Sequence, residues 1–344
     1  MTAIATSIVC PFFNEESILE HAVRELLRQL DSLDGEWELI IVNDGSTDGS
    51  GRIAAALAGE FPRLRALGYA RNRGRGHALR TGIAAARGDV IVTTEIDLSW
   101  GDRIVHDLVA AMRAWPDADI VVASPHLPGG RYRNVPLRRV WLSRIGNRII
   151  RASMSHAVTM NTGMTRAYRR DLIQSLPLTE DGKEFHLEVI LKASTLGARI
   201  REVPATLEWK DYRHQGQRVK RKSSSRIRRL IVSHSLFSLL ATPVRYIWAM
   251  SLLALLIGLG ALVLAIVALY RGTDAVYSAL LSVSMVVLGI VLFVLGVVVQ
   301  QGTTIQRELW TIQRALLGYP PGVPAARSPA ADAEAAGRAP PSRP

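Results

Sequence analysis

Cysteine is almost absent from this chain, since Cys10 is the only one in 344 residues. No disulfide can form within the chain, which excludes a disulfide-stapled fold and fits a reducing compartment. The N-terminus also lacks the basic start and long apolar core of a secretory signal peptide. We therefore expect Ser7 to Cys10 to be a first β-strand rather than part of a leader. No internal repeat of the solenoid type is present.

Charge is missing altogether from two long apolar segments, Tyr246 to Tyr270 and Val276 to Val299. Each segment is longer than the roughly 20 residues that an α-helix needs to cross a bilayer. We therefore predict a hairpin of two transmembrane helices at residues 244–300. The alternative is a buried helical hairpin of a soluble protein, and uncharged runs of this length argue against it.

Positive charge is in excess, with a formal net charge of +12 and the densest Lys and Arg between Lys210 and Arg229. Such an excess indicates an anionic partner, which is a nucleic acid, an anionic membrane surface or a phosphorylated substrate. The turn between the two spans has Arg271 as its only basic residue. The positive-inside rule therefore predicts that the N-terminal domain and both termini are cytoplasmic. Residues 230–243 are predicted to form an amphipathic helix in the membrane interface.

Strands alternate with helices through residues 1–229, which predicts an α/β domain with a doubly wound, mainly parallel sheet. The predicted strands are Ser7–Cys10, Trp37–Val42, Leu64–Tyr69, Val90–Thr94, Ile120–Ala123 and Ala198–Val203. The predicted helices are Glu15–Leu33, Arg52–Glu60, one that ends at Ala86, Asp102–Trp115 and Phe185–Leu196. After the spans we expect a short amphipathic helix at 301–319 and a disordered, Pro/Ala-rich tail at 320–344.

Two carboxylates, Glu95 and Asp97, follow the strand Val90–Thr94. In an extended segment residues i and i+2 point the same way, so both carboxylates can face one point. In an open α/β sheet that point lies beyond the carboxyl ends of the strands, where ligands bind. Hard oxygen ligands there suit Mg²⁺ or Mn²⁺ together with nucleotide phosphates. The pair alone leaves open a strand end with two solvated acids.

A glycine-rich turn, NRGRGHALRTG, opens the helix that ends at Ala86. Gly74 and Gly76 allow a ligand to approach the backbone at a helix N-terminus, where amides and the helix dipole favour phosphate. Arg75 adds positive charge at the same place. A single turn of this kind is weak evidence by itself.

The chain also carries an ordered series of motifs between Pro11 and Val189. They are PFFNEE, NDGSTD, NRGRGHALRTG, TEIDLS, NTGMTRAYRR and DGKEFHLEV. This series resembles the family 2 glycosyltransferases of GT-A fold, and within them the polyprenyl-phosphate (dolichyl-phosphate) mannose and glucose synthases. The resemblance implies a GT-A domain at residues 1–229 that uses a nucleotide-diphosphate sugar as donor and a polyprenyl phosphate as acceptor.

The resemblance implies a nucleotide site at the ends of the first two strands. Pro11, Asn14 and Glu15 would contact the base and ribose, and so would Asp44. The family usually has two acids in the second motif, whereas the first of them is Asn43 here. Read without the resemblance, Asn14 is a helix cap and the NDGSTD residues are ordinary turn residues.

The resemblance also assigns the metal and the donor diphosphate. Asp97 and Glu95 stand where the family has its D-x-D metal ligands, and Ser99 stands where a further metal contact is made. Gly74, Arg75 and Gly76 would lie near the diphosphate, although the family has Lys in place of this Arg.

The segment Arg131 to Arg144 resembles the acceptor loop of the prenyl-phosphate enzymes. A lipid monophosphate has a second pKa of about 6, so it is mostly dianionic at neutral pH and needs positioning rather than a strong base. Arginines grip phosphate with two parallel hydrogen bonds, and Arg139 and Arg144 are the candidates. The alternative is a solvated basic loop. Where the family often carries Arg before this loop, the chain has Pro125 followed by His126.

Two further acids, Asp181 and Glu188, are candidates for contacts with sugar hydroxyls. A helix on the flank of the sheet would carry such acids in any case, so this assignment stays open.

We therefore expect a membrane-anchored, metal-dependent, inverting enzyme of glycan biosynthesis that moves one hexose, mannose or glucose, to polyprenyl phosphate at the cytoplasmic face. A processive polysaccharide synthase is disfavoured because a Q-x-x-R-W motif and a larger set of spans are missing. A catalytically silent scaffold that recruits a flippase stays open because Asn43 and Glu95 replace aspartates. A nucleic-acid binder rests only on the basic run. Related enzymes assemble through their membrane helices, which leaves a tetramer open.

Overall fold

Apolar, β-branched runs build a seven-stranded sheet at the centre of the N-terminal domain. The computed structural model describes residues 5–137, 140–141, 143–144, 147, 158–208, 213–214, 217–218 and 243–316. The strands are β1 (Thr6–Phe12), β2 (Trp37–Asn43), β3 (Leu64–Gly68), β4 (Val90–Thr93), β5 (Ile120–Ser124), β6 (Arg131–Arg133), β7 (Arg166–Arg169), β8 (Ile200–Pro204), β9 (Thr206–Glu208), β10 (Arg213–His214) and β11 (Gln217–Arg218).

The sheet has the strand order β3-β2-β1-β4-β7-β5-β8. Strand β7 is antiparallel to both of its neighbours, and all the other pairs in this sheet are parallel. Every residue of β1 is buried, as expected for a parallel strand covered on both faces. Strands β6 and β9 form a separate parallel pair, and β10 and β11 form an antiparallel one.

Helices connect these strands and cover the sheet. They are α1 (Leu19–Leu30), α2 (Ser50–Glu60), α3 (Arg75–Ala85), α4 (Ile104–Ala114), α5 (Arg170–Ser175) and α6 (Phe185–Thr195). Helices α1 and α2 pack on each other, whereas α3 packs on β1 and β2 and also contacts α5 and α6. The predicted doubly wound, mainly parallel sheet is confirmed, and the order reverses between β1 and β4.

Several predicted boundaries differ from those of the structure. Strand β1 does not stop at Pro11 but continues to Phe12, because β4 pairs with β1 only as far as Val9 and the missing proline N–H lies beyond that partner. Strand β4 ends at Thr93, one residue earlier than predicted. Strand β7 was missed, since its sequence, RAYR, carries arginines at both ends and reads as surface.

The C-terminal part consists of two long helices, α7 (Pro243–Tyr270) and α8 (Val276–Leu316). Both are long and apolar enough to cross a membrane, with mean hydropathies of 3.0 for Tyr246–Tyr270 and 2.9 for Val276–Ile312. They pack closely where small residues meet, since the Ser251 hydroxyl donates to the carbonyl of Gly289 at 2.8 Å.

The predicted break after residue 300 is wrong, because α8 continues without interruption to Leu316. The polar residues at this point are accommodated within the helix. Thr303 and Thr304 donate their hydroxyls to the carbonyl of Gln300, at 2.7 and 3.2 Å. The predicted amphipathic helix at 301–319 is therefore the end of the second long helix as far as it is described. The tail at 320–344 lies outside the described residues, as does the interfacial helix at 230–243 except Pro243, which begins α7.

Candidate active site

The candidate site lies at the carboxyl edge of the sheet, where β1 and β4 are neighbours although β2 and β3 lie between them in the chain. The chain leaves β1 toward β2 on one side and returns to β4 on the other side. Such a reversal opens a crevice beyond the strand ends, which is where ligands bind in open α/β sheets. The loops that follow β1, β2 and β4 meet there.

The loop after β1 is fastened to the loop after β2. The amide of Asn14 donates to the Ser46 hydroxyl at 3.0 Å, and Asn14 Oδ1 accepts from the amide of Thr47 at 2.8 Å. The amide of Glu15 donates to the Ser50 hydroxyl at 2.9 Å. Asn14 therefore braces the second loop and does not cap α1, which begins later, at Leu19. Its positive φ of 53° suits Asn better than most residues.

Asp44 is buried and its carboxylate holds the loop that follows β3. Oδ1 accepts from the Tyr69 hydroxyl at 2.7 Å and from the amides of Arg73 and Gly74 at 3.0 Å each. Oδ2 accepts from the Asn72 side chain at 3.0 Å. Burial and then the charge of Asp44 raise the pKa of Tyr69, so its phenol stays a donor. Asp44 lies at the predicted edge, and its contact with a base or ribose stays a prediction.

The two glycines of the NRGRGHALRTG turn contact another part of the chain, and their approach to a phosphate stays a prediction. The amides of Gly76 and His77 donate to the backbone carbonyl of Asp181, at 2.7 and 3.2 Å. A Cβ on Gly74 would lie 2.4 Å from that same oxygen, and a Cβ on Gly76 would lie 2.4 Å from the carbonyl of Glu180. The glycines therefore admit another part of the chain, which caps α3 where a phosphate was expected.

The side chain of Asp181 reinforces this contact. Its carboxylate is hydrogen-bonded to Arg80 and lies 3.3 Å from His77 Nδ1 and 4.0 Å from Arg73. Burial alone would raise the pKa of Asp181, but the hydrogen bond from Arg80 and the nearby positive charges outweigh it and lower the pKa. Asp181 thus serves the capping segment, and a sugar contact is not needed to explain it.

Glu188 is also occupied by the protein. Its carboxylate accepts from the amide and the hydroxyl of Thr179, at 2.9 and 3.0 Å, and from the amide of Glu180 at 2.9 Å. Lys192 pairs with it at 2.7 Å. Burial pushes the pKa of Glu188 up, but these bonds outweigh burial and lower the pKa. Glu188 fixes the segment that reaches α3.

Glu95 and Asp97 lie in a turn, so the extended geometry predicted for them is wrong. The amide of Leu98 approaches the carbonyl of Glu95 at 3.4 Å, and Leu98 has a φ of +52°. The turn still gathers the two carboxylates. Glu95 Oε2 accepts from the Ser99 hydroxyl at 2.8 Å and from Trp100 Nε1 at 3.1 Å, while Asp97 Oδ1 accepts from the amide of Ser99 at 3.1 Å.

The electrostatics of this pair fit a bound cation. Burial, and next the negative charge of Asp97, raise the pKa of Glu95, while Arg75 at 4.0 Å lowers it in part. A divalent ion would relieve the repulsion between two oxygen ligands of the type that it prefers. Among the described residues no group of three or more His, Cys, Asp or Glu could hold a metal. The pair would thus supply part of a coordination sphere that water and phosphate oxygens complete, as is usual for Mg²⁺.

Ser99 is buried and its hydroxyl is directed at Glu95. In this arrangement Ser99 orients the carboxylate, and direct metal contact stays a prediction. Its backbone carbonyl accepts from the amide of Glu208 at 2.7 Å, which connects the end of β9 to the acidic pair. No sequence pattern predicts this link, because the two residues are far apart in the chain.

Of the two predicted acceptor arginines, Arg139 lies outside the described residues and Arg144 is exposed. Burial, and then the positive charge of Arg144, lower the pKa of His126. The His126 ring contacts the Tyr132 hydroxyl at 3.0 Å and the side chains of Ser143 and Asn147 at 3.5 Å. His126, which occupies the place next to the expected Arg, thus connects the turn before β6 to the segment that bears Arg144.

Arg166 was not singled out from the sequence. It is fully buried in β7, and its guanidinium donates to the carbonyls of Asn161 and His186, at 2.6 and 2.9 Å. Burial lowers its pKa. It holds the NTG segment and the start of α6 together beneath the site. Only the motif NTGMTRAYRR pointed to this region, because an arginine in a short polar run is ordinarily exposed.

Comparison with known proteins identifies the family and the fold of this chain. The sequence profile described as "Glycosyl transferase family 2" matches residues 7–176. A solved structure of glucosyl-3-phosphoglycerate synthase from Mycobacterium tuberculosis, in complex with Mn²⁺, UDP-glucose and phosphoglyceric acid, superposes with a TM-score of 0.51 at 22% identity. The superposition covers 69% of this chain and 79% of the synthase chain. The likeness shows a shared fold, and the predicted GT-A fold is confirmed.

Two of the similar proteins are named as transferases that act on undecaprenyl phosphate. The undecaprenyl-phosphate 4-deoxy-4-formamido-L-arabinose transferase of Shewanella sediminis is 31% identical over 49% of this chain, which spans 50% of that relative. The undecaprenyl-phosphate mannosyltransferase of Micrococcus luteus is 31% identical over 58% of this chain and 81% of its own length. With the matched profile and an acidic pair at the edge of a shared fold, these similarities establish that the chain belongs to glycosyl transferase family 2.

Proposed function

We propose that this protein transfers a single hexose, mannose or glucose, from a nucleotide-diphosphate sugar to a polyprenyl phosphate at the cytoplasmic face of a membrane. The observation that carries the proposal is the Glu95–Asp97 pair at the carboxyl edge of the sheet, in a chain that also has two long apolar helices. The relatives named for transfer to undecaprenyl phosphate support this reaction.

Donor binding would use the edge formed by β1 and β2. Pro11, Asn14, Glu15 and Asp44 border the crevice in which the base and ribose would lie. Arg75, whose side chain is 41% exposed and lies 4.0 Å from Glu95, would supply positive charge to the diphosphate. Asp97 and Glu95 would hold Mg²⁺ or Mn²⁺, which when bound supplies positive charge to the leaving diphosphate. The solved synthase of the same fold contains Mn²⁺ and UDP-glucose.

Acceptor binding would use the arginines of the 131–144 segment. Since a phosphate monoester is already charged at neutral pH, the protein needs only to aim one of its oxygens at the anomeric carbon. Arg144 and Arg139 would do this by gripping the remaining oxygens. A single direct displacement of this kind inverts the configuration of the sugar.

The orientation follows from the charge pattern. The basic run Lys210–Arg229 precedes the first span, and the turn between the spans contains only one arginine. The positive-inside rule then puts the catalytic domain and both ends of the chain on the cytoplasmic side, where nucleotide sugars are made available.

The test uses the full chain reconstituted into proteoliposomes that contain a long-chain polyprenyl phosphate. GDP-mannose, UDP-glucose and other radiolabelled nucleotide sugars are supplied one at a time with Mn²⁺. We expect one donor to give a labelled lipid that carries one sugar, with inverted anomeric configuration by NMR. Chelation of the metal should abolish the label.

Two outcomes would contradict the proposal. An unlabelled lipid with every donor, although nucleotide still binds, would indicate a catalytically silent scaffold. A product that carries a chain of sugars would indicate a processive synthase. Asp89→Ala serves as the matched control for alanine variants of the acidic pair, because Asp89 is an exposed carboxylate at the opposite end of β4.

A further inference from the structure

In the described part of the N-terminal domain, nearly all large apolar side chains are buried or partly buried. Among the described residues before Pro243, only three are exposed, namely Phe13, Leu137 and Trp141. Leu137 is 86% exposed and Trp141 is 63% exposed. Single exposed apolar residues are common on the surfaces of soluble proteins. Two large exposed apolar side chains next to each other indicate instead a surface that binds an apolar partner.

Leu137 and Trp141 lie on one face of a helical turn. They are four residues apart, and the amide of Val140 donates to the carbonyl of Pro136 at 3.3 Å, as in a helix. Val140 and Asn147 face inward and are buried. The segment is thus fixed to the domain on one side and presents an apolar face, here called the Leu137–Trp141 face, on the other.

The surroundings of this face are basic. Arg144 is exposed one turn further along, and the sequence between the two apolar residues contains two more arginines. A face that joins Trp and Leu to arginines is typical of helices that lie in the headgroup region of an anionic bilayer. A protein partner would ordinarily offer acids to such a surface, whereas a membrane offers phosphates and acyl chains together.

The direction of the chain also points to the membrane. Strands β6 and β9 are parallel, with Arg131 paired to Thr206 and Arg133 paired to Glu208. The chain therefore leaves both strands at the same end of this small sheet. After β6 it leads to the Leu137–Trp141 face, and after β9 it leads to the basic run and the membrane helix α7.

We infer that the Leu137–Trp141 face inserts into the boundary between headgroups and acyl chains of an anionic bilayer and thereby holds Arg144 at the depth of a lipid phosphate. The insertion stands independently of any reaction. Its use in presenting the acceptor rests on the proposed function.

The insertion is tested by a fluorescent label on a single cysteine. Cys10 is fully buried, and burial raises the pKa of its thiol, so it will not react in the folded protein. Trp141→Cys is labelled with an environment-sensitive dye in the full chain, reconstituted in vesicles of phosphatidylcholine and phosphatidylglycerol. Asp34→Cys is the matched control, because Asp34 is 88% exposed and precedes β2 at the opposite edge of the sheet.

We expect a blue-shifted emission at position 141 and quenching by lipids with a nitroxide close to the headgroup, with neither effect at position 34. Equal, water-like spectra at both positions would overturn the inference. A shift that appears only when polyprenyl phosphate is added would also overturn it, since the face would then bind the isoprenoid chain and not the bilayer. A second label at Leu137→Cys guards against a local disturbance by the first.

The use of the face is tested by kinetics. Trp141→Ala should raise the apparent KM for polyprenyl phosphate in vesicles about tenfold, because the variant no longer buries a large apolar side chain in the bilayer. The KM for the nucleotide sugar and the rate with a short, water-soluble prenyl phosphate should not change, and Trp141→Phe should retain most of the affinity. An equal loss with the water-soluble acceptor would contradict membrane docking. Absence of transfer in every sample would refute the proposed function but leave the label result standing.

Discussion

The two sides of the crevice are built differently. On the side proposed for the donor, the loops after β1, β2 and β3 are hydrogen-bonded to one another, and the Asp44 carboxylate alone accepts four hydrogen bonds from side chains and amides. On the side proposed for the acceptor, Arg144 is exposed, and its segment is held by the His126 ring, which lies 3.5 Å from Ser143 and Asn147, and by the amide of Asn161, which donates to Asn147 Oδ1 at 2.8 Å. The side proposed for the nucleotide is therefore fastened within the chain, whereas the side proposed for the lipid presents an exposed arginine.

The two ligands of the proposed function would account for this difference. A nucleotide sugar arrives from water and is bound most tightly by a site that is already in the bound geometry, because ordering loops costs affinity. A lipid phosphate arrives within a membrane, which itself fixes the height of the headgroup. We therefore expect donor-side changes to act on catalysis or folding, and acceptor-side changes to act on the use of the lipid.

The largest effect is expected for Asp97→Ala, at the point where both sides meet. A unit-charge pair at 4 Å is worth about 4 kcal/mol at an effective dielectric of 20, which corresponds to roughly three decades in rate. Turnover should fall by about that factor in the radiolabel assay, while Asp89→Ala stays near the parent rate. Undiminished transfer by Asp97→Ala would refute the assignment of the acidic pair.

Arg144→Ala should act on one side only. Loss of charge-assisted hydrogen bonds to the lipid phosphate should lower kcat/KM for the acceptor about 10- to 100-fold and leave the Kd of the nucleotide unchanged. Arg144→Lys keeps the charge but loses the planar guanidinium, so its kcat/KM for the acceptor should lie between those of the parent and of Arg144→Ala. If the variant weakened nucleotide binding as much as acceptor use, the division between the two sides would be wrong.

Gly76→Ala tests the contact that caps α3. Its Cβ would lie 2.4 Å from the carbonyl of Glu180, so the segment must move, and the free energy of unfolding should fall by about 1–3 kcal/mol. Gly59→Ala is the matched control in α2, where a Cβ meets nothing within 4 Å. It should be neutral or stabilising by about 0.5–1 kcal/mol in thermal unfolding. Equal effects of the two substitutions would contradict the role given to Gly76.

Glu188→Gln is expected to give the smallest effect, and on stability rather than transfer. The pKa of Glu188 in the folded protein is below the ordinary 4.5, so its stabilisation is present above about pH 4.5 and is lost as the pH falls through the lowered pKa. At pH 7 the variant should unfold about 1–2 kcal/mol more easily, and the difference should shrink in acid. Exposed Glu180→Gln is the control. A raised donor KM with unchanged stability would restore Glu188 as a sugar contact.

The sequence predicts well what depends on near neighbours. The first long helix contains the predicted span Tyr246–Tyr270, and the acidic pair lies at the predicted edge because a buried strand must end before it. Contacts across the chain could not be predicted. Gly74 looked like a phosphate-binding glycine because its true neighbour, Asp181, comes from a distant segment. The turn at Glu95 could not be predicted for a different reason. Ser99 and Trp100 are near neighbours in the chain, but they fix the turn through side-chain hydrogen bonds that hydrophobic periodicity does not indicate.

The unbroken length of α8 has a consequence for the end of the chain. A helix of 41 residues is roughly 60 Å long, about twice the 30 Å hydrocarbon layer that it would cross. Since α7 and α8 form a hairpin, the surplus emerges on the side of the catalytic domain. For a crossing near the membrane normal, Leu316 would lie well beyond the lipid headgroups, on the same side of the membrane as the N-terminal domain.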